Sequence, residues 1–208
     1  MVTSASPAPA RLSAPSIRRG ARAVLREPCR AATWRRVAYL LLALPVGVLC
    51  VPLALVGGPA GRVQRGLARR LLGLQIAEPA HTGPRALAHA VISLPLNLIA
   101  AVLTGYGWST VPLNFGWPLR PLISLGDADP THAWGGPTLA GVWGLHALGG
   151  LGFLLLMPWI GRGLTALQGR LAACLLGGRR TGVLTPVLLA LLVVVVGAAL
   201  ALPVAHQI

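Results

Sequence analysis

Few residues in this chain have the types and spacing that chemistry requires. The acidic residues are Glu27, Glu78, Asp127 and Asp129. Asp127 and Asp129 stand close to His132, and hard carboxylates with an imidazole could hold a divalent cation. Three ligands strung around Pro130 match no metal motif, so solvated loop polars are the simpler reading and no metal site is assigned. His89 and His146 fall inside apolar segments, where a polar side chain points to function by default. A haem or metal held between helices would use such a pair. His89 lies near one end of its segment and His146 in the opposite half of the next, so the two sit at different depths. Hydrogen bonding between helices accounts for each. Asn97, one turn after Ser93, reads as the same kind of interhelical glue. Trp108, Trp117 and Trp134 fall in the same long loop as Asp127, Asp129 and His132. Together they form a candidate ligand or signal loop that could take an apolar or lipid-like molecule, although an aromatic belt at the membrane boundary explains tryptophans more simply.

No nucleophile elbow, zinc-protease helix, phosphate-binding loop or paired carboxylate occurs, so hydrolase or transferase chemistry has no carrier. The chain is expected to be non-catalytic and to need no cofactor. No acid lies within an apolar segment, which speaks against a proton- or ion-coupled transporter.

The elements that must position these residues are membrane helices. The chain has 208 residues, 55% hydrophobic and 11% charged, where a soluble domain carries about 25% charged residues. All 18 basic residues are arginine, and the net charge is +14. In a soluble protein that charge would suggest nucleic acid. Here the arginines flank apolar runs, so they are expected to set topology and to touch anionic lipid head groups, with no nucleic-acid partner. Arg35, Arg36, Arg62, Arg65, Arg69, Arg70, Arg162, Arg170, Arg179 and Arg180 are the residues in question. Cys29, Cys50 and Cys174 are scattered without a paired motif and are expected to be free thiols.

The fold class that follows is all-α, a multi-pass transmembrane helical bundle with two interfacial amphipathic helices. Residues 1–33, rich in Ala, Pro, Ser and Arg, are expected to be a disordered cytoplasmic tail. Residues 37–60 are apolar, contain Pro45 and Pro52, and have arginines on both flanks. They form either one kinked span or a re-entrant hairpin, and the prolines together with the returning second unit favour the hairpin. Residues 61–76 follow as an amphipathic helix in the membrane plane, with Arg62, Arg65 and Arg69 on one face and Val63, Leu67, Leu71 and Leu74 on the other. Residues 87–106 make the next span, 107–136 an outer loop whose one arginine is Arg120, and 137–160 a span returning inward. A second amphipathic helix covers 161–177, with Leu164, Leu167, Leu171 and Leu175 on one face. Residues 183–204 are an unbroken apolar run of spanning length.

Two stretches repeat. Gln64, Leu67, Leu71, Leu72 and Gly73 match Gln168, Leu171, Leu175, Leu176 and Gly177, and Leu44-Pro45 matches Leu94-Pro95 fifty positions on. The membrane domain, 34–180, therefore reads as two related units, 34–76 and 85–180, followed by a C-terminal helix in 181–208. Gly141, Gly144, Gly149, Gly150 and Gly152 mark a face for close helix approach, within the chain or in a homodimer.

The pattern Trp-Arg-x-x-Ala-Tyr-Leu-Leu-Leu-x-x-Pro-x-Gly over 34–47 and Gly-Leu-Ala-Arg-x-Leu-Leu-Gly over 66–73, with Pro-Trp-x-x-Arg-Gly-Leu over 158–164, resembles the membrane sensor domain of many actinobacterial two-component histidine kinases. The resemblance covers roughly residues 31–180. It implies a repeated membrane unit that detects an envelope cue in the plasma membrane, with the N-terminus cytoplasmic. The family's first hairpin is longer than 37–60 allows, and neither a histidine phosphoacceptor box nor an ATP-binding module follows Arg180. The resemblance therefore implies a signal-sensing domain that acts through a separate kinase or regulator. The alternative is an accessory subunit of a transporter, or a membrane scaffold.

Overall fold

The structure, a computed structural model, describes residues 22–77, 83–123 and 130–177 except 132, with a few isolated positions outside them. Among these residues the chain is all-helical, without a strand. A short 3-10 turn, Glu27–Cys29, leads into α1, Ala31–Leu55. Helix α2 is Ala60–Leu72 and α3 is Gly83–Phe115; a 3-10 helix, Trp117–Ile123, then precedes α4, Leu139–Leu175. Helices α1, α3 and α4 are each long and apolar enough to cross a membrane. Of the tail expected over 1–33, residues 1–19 lie outside the described residues, as does most of the C-terminal run 183–204, while 22–26 are helical and 31–33 open α1.

Residues 37–60 do not form the favoured hairpin. Helix α1 runs unbroken through Pro45 and Pro52, both of which are on its exposed side. Each proline removes one backbone bond, and the remaining bonds of a 25-residue helix carry the chain past both. The reversal comes later, at a glycine cap. Gly57 takes φ +74°, its N–H donates to the Ala54 carbonyl, and the Gly58 N–H donates to the Leu53 carbonyl at 2.7 Å. This is a Schellman ending, which needs a left-handed residue that glycine supplies without strain.

Helix α2 then folds back along α1. Its first residue, Ala60, accepts a bond from Cys50 Sγ, and Ala68 packs with Tyr39, Leu40 and Ala43. The expected helix over 61–76 is thus shorter, ending at Gly73, and its sides are sorted differently from the pattern. The buried residues are Ala60, Gly61, Gln64, Arg65 and Ala68, while Val63 is exposed. Small residues let two helices approach closely, and apolar contact with lipid offers no competing advantage. The short side of α2 therefore meets α1.

Helix α3 starts beside the α1–α2 turn, with Ala86 and Ala90 packed against Cys50 and Ala60. It runs antiparallel to α1 until Trp108 stacks on Trp34 at 4.7 Å. It continues to Phe115, so the first third of the expected outer loop is helix. Helix α4 returns along α3, with Gly150 against the Val111 carbonyl and Phe115. It reaches Leu175 with no break at Gly161, which corrects the expected boundary between a span and a surface helix. Leu164, Leu167 and Leu171 are buried against α1 and α3. Their stripe is the packing side of the rod. Of the glycine face, Gly150 makes the close α3 contact, whereas Gly144 and Gly152 meet open space.

Candidate functional site: a polar chamber on matched helices

Where the four helices meet, α3 presents His89, Ser93 and Asn97, one turn apart along one side, and all three are buried. Their partners come from the other helices. His89 Nδ1 donates to Gln64 Oε1 of α2 at 2.9 Å. Asn97 Nδ2 donates to the Ala43 carbonyl of α1 at 3.0 Å and lies 3.5 Å from Ser93 Oγ. Gln168 Nε2 of α4 donates to Asn97 Oδ1 at 2.8 Å. A cavity of about 20 Å³ sits among them, lined also by Tyr39 and Gly47, with room for about one water-sized group. Gln64 Nε2 and Gln168 Oε1 are buried without a hydrogen-bond partner in the protein, which leaves one donor and one acceptor at the chamber. Unmet groups of this kind are costly in a low-dielectric interior.

The chamber joins the two halves of the repeat. Gln64 and Gln168, the one polar pair in the matching stretches, both line it, as do Leu67 and Leu171. The same offset of fifty that aligns the two Leu-Pro segments aligns Tyr39 with His89, Ala43 with Ser93 and Gly47 with Asn97, and all six line it too. Gly47 has a steric role here: a Cβ on it would lie 2.9 Å from Asn97 Nδ2. The missing side chain lets the Asn97 amide reach the α1 backbone.

A second polar cluster ties the N-terminal segment to α4. Glu27, 3% exposed, meets Arg162 of α4, Arg36 of α1 at 3.6 Å and Arg30 at 3.1 Å. Thr33 Oγ1 donates to the Glu27 carbonyl at 2.8 Å. Burial under these side chains works to raise the carboxyl's pKa, but the hydrogen bonds and charges of Arg162 and Arg30 outweigh it and hold the group below its usual value of 4.5. Arg162 also lies over the Trp159 ring at 4.6 Å.

The described tryptophans of the expected signal loop have different surroundings. Trp108 belongs to α3, against Trp34. Trp117 is 2% exposed and packs on His146, whose Nδ1 donates to the Val142 carbonyl. Trp134 is 84% exposed. Asp127, Asp129 and His132 lie outside the described residues, among which no group of metal-ligating side chains occurs. His89 and His146 are at opposite ends of the α3–α4 pair. Among the arginines, Arg35, Arg36, Arg69, Arg70 and Arg162 border one cleft. Arg62 and Arg65 border another with Arg69 and Gln75. Arg170 is exposed on α4, and Arg179 and Arg180 lie outside the described residues.

Sequence reasoning missed Gly47, Tyr39 and Glu27 as parts of a site. Gln64 and Gln168 carried a usable signal, as polar residues kept in both copies of an otherwise apolar stretch. Comparison with known proteins found no match: no family model, no curated protein and no solved structure is similar to this chain.

Proposed function

We propose that this chain is a non-catalytic, signal-sensing or regulatory membrane domain that acts through a separate kinase or regulator protein. The observation that carries this reading is the chamber, where hydrogen bonds from the buried polar side of α3 reach Gln64 of α2, Gln168 of α4 and the Ala43 carbonyl of α1. A shift of one helix along another cannot occur without re-pairing Gln64, His89, Asn97 and Gln168, so the set favours discrete arrangements over gradual ones. The Glu27 tie would pass such a shift from α4 to the N-terminal segment. In this reading the chain crosses the plasma membrane more than once, with its N-terminus in the cytoplasm. The arginines at the two ends of α2 and near the end of α4 meet the head groups. The resemblance to the sensor domain of actinobacterial histidine kinases points the same way.

The test is purification of the full chain from its host in mild detergent, with and without envelope stress. Expected is a co-purifying kinase or response regulator whose yield changes with stress and no longer changes in Asn97→Leu. A stress-independent preparation with no regulator would sink the reading.

One observation favours transport support instead. Helices α1 and α3 run in opposite directions while their matched residues line one polar chamber, an arrangement that transporters with inverted repeats also use. Solute flux in proteoliposomes containing the chain together with a transporter that co-purifies with it would support that alternative.

A further inference from the structure

Five arginines from three helices border a single cleft of about 580 Å³: Arg35 and Arg36 of α1, Arg69 and Arg70 of α2, and Arg162 of α4. Like charges gathered this way repel one another, and the neutralisation within the chain is small. Glu27 is the one carboxylate among the described residues, and it is engaged by Arg162, Arg36 and Arg30. Arg35, Arg69 and Arg70 take part in no ion pair among the described residues. Arg162 Nε is buried without a hydrogen-bond partner, and Arg36 Nη1 is buried with only the 3.6 Å ion pair to Glu27. Arginines gathered around one concave space focus a positive potential there, which favours an anion.

The chemistry narrows the anion. Guanidinium groups pair best with planar or tetrahedral oxyanions that accept two bonds each, and several guanidiniums converging on one space match a multiply charged phosphate better than a single carboxylate. The cleft volume falls in the range of small-molecule sites. Leu71, Leu72 and Leu74 line the same cleft beside the arginines, so an apolar portion of the ligand would find a surface next to its charge.

We propose that this cleft is a binding site for a phosphate-bearing anion, supplied either by a lipid head group or by a soluble polyphosphate. The proposal does not depend on whether the chain signals.

The full chain in neutral detergent is offered two probes: phosphatidic acid in competition with phosphatidylcholine, read by native mass spectrometry, and inorganic pyrophosphate, read by thermal melting. Arg69→Gln/Arg70→Gln removes two exposed charges from the cleft without touching the Glu27 pairs. Arg62→Gln/Arg170→Gln removes two exposed charges from elsewhere and serves as the control. Expected is selective binding of at least one probe, weakened about tenfold or more, roughly 1.4 kcal/mol, in the cleft variant and unchanged in the control. Retention of phosphatidic acid alone identifies a lipid source; a melting shift with pyrophosphate alone identifies a soluble one. Binding of neither probe, or equal loss in both variants, overturns the proposal.

Discussion

Gly47 and Asn97 hold equivalent places, each two residues after the proline of a Leu-Pro segment, and each makes the other's position workable. The Asn97 amide spans the gap between helices, giving a hydrogen to the Ala43 carbonyl and receiving one from Gln168. It can lie there because position 47 has no side chain. A methyl group at 47 would stand 2.9 Å from Asn97 Nδ2 and 3.4 Å from Leu94 Cδ2. Both residues are buried, so a clash at 47 is not relieved at an open surface. Polar contacts between helices in membrane proteins contribute about 0.6 to 2 kcal/mol. Asn97→Ala should therefore lower the thermal midpoint in detergent by an amount equivalent to about 1 kcal/mol, and Gly47→Ala should lower it as well by pushing the amide away. The informative variant is the double one. If the two residues act through the single contact described, Gly47→Ala will cost little once Asn97 is already alanine, because the added methyl enters the space the amide left. Additive losses in the double variant would show that position 47 is constrained by something other than Asn97.

At the scale of the element, α4 separates what periodicity can reveal from what it cannot. Leucines at 164, 167, 171 and 175 mark one side of a helix wherever that helix lies, and the sequence makes that side legible. A stripe with this spacing looks the same whether it faces lipid, a membrane surface or a neighbouring helix. The boundary expected near Gly161 rested on the echo of 61–73 in 161–177 and on the end of a membrane-length run. The structure continues the helix through this point, because Leu164, Leu167 and Leu171 gain partners in Leu40, Leu96 and Ala100 that a free surface helix would lack. The same blindness applied to 37–60, where prolines suggested a turn that packing overrode and Gly57 supplied instead. The apolar spans and the polar side of α3, with His89 and Asn97 eight residues apart, were readable because they depend only on local order. The pairing of Glu27 with Arg162 was not, since nothing local links residues so distant in the chain.

Continuity of α4 has a direct test. Gly163 is exposed and its missing side chain meets open space, so substitution there probes the backbone and little else. A proline at 163 would remove its N–H bond to the Trp159 carbonyl and drive its ring against that carbonyl, at about 3 kcal/mol or more inside a helix. Gly163→Pro should destabilise the protein severely, whereas Gly163→Ala should be neutral or slightly stabilising. An unchanged thermal midpoint in Gly163→Pro would show that this turn of α4 absorbs a proline as α1 absorbs Pro45 and Pro52, and that its continuity at 163 adds no measurable stability.

For the molecule as a whole, the antiparallel course of the helices decides which charges share an end. Near the start of α1 the fold gathers Arg30, Arg35, Arg36, Arg69, Arg70 and Arg162, offset by Glu27. Near the α1–α2 turn it places Arg62, with Arg85 at the start of α3. The chain order alone obscures this imbalance, because α2 carries its arginines in one short run that reads as flanking a single side. Folding back along α1 moves Arg69 and Arg70 to the level of Arg35 and Arg36. Arginines are retained on the cytoplasmic side of membrane segments, so the end with the larger excess should face the cytoplasm and the turn at 56–59 should face outward. Single cysteines at Ala32 and Val56, both exposed, in a chain whose own three cysteines are replaced, report this with an impermeant maleimide on intact cells. Position 56 should react from outside, and position 32 only after permeabilisation. The reverse pattern would invert the orientation and place the arginine cleft outside the cell. A maleimide reaction at neither position before permeabilisation would mean that α1 does not carry the chain across the bilayer, and the membrane crossings would then rest on α3 and α4.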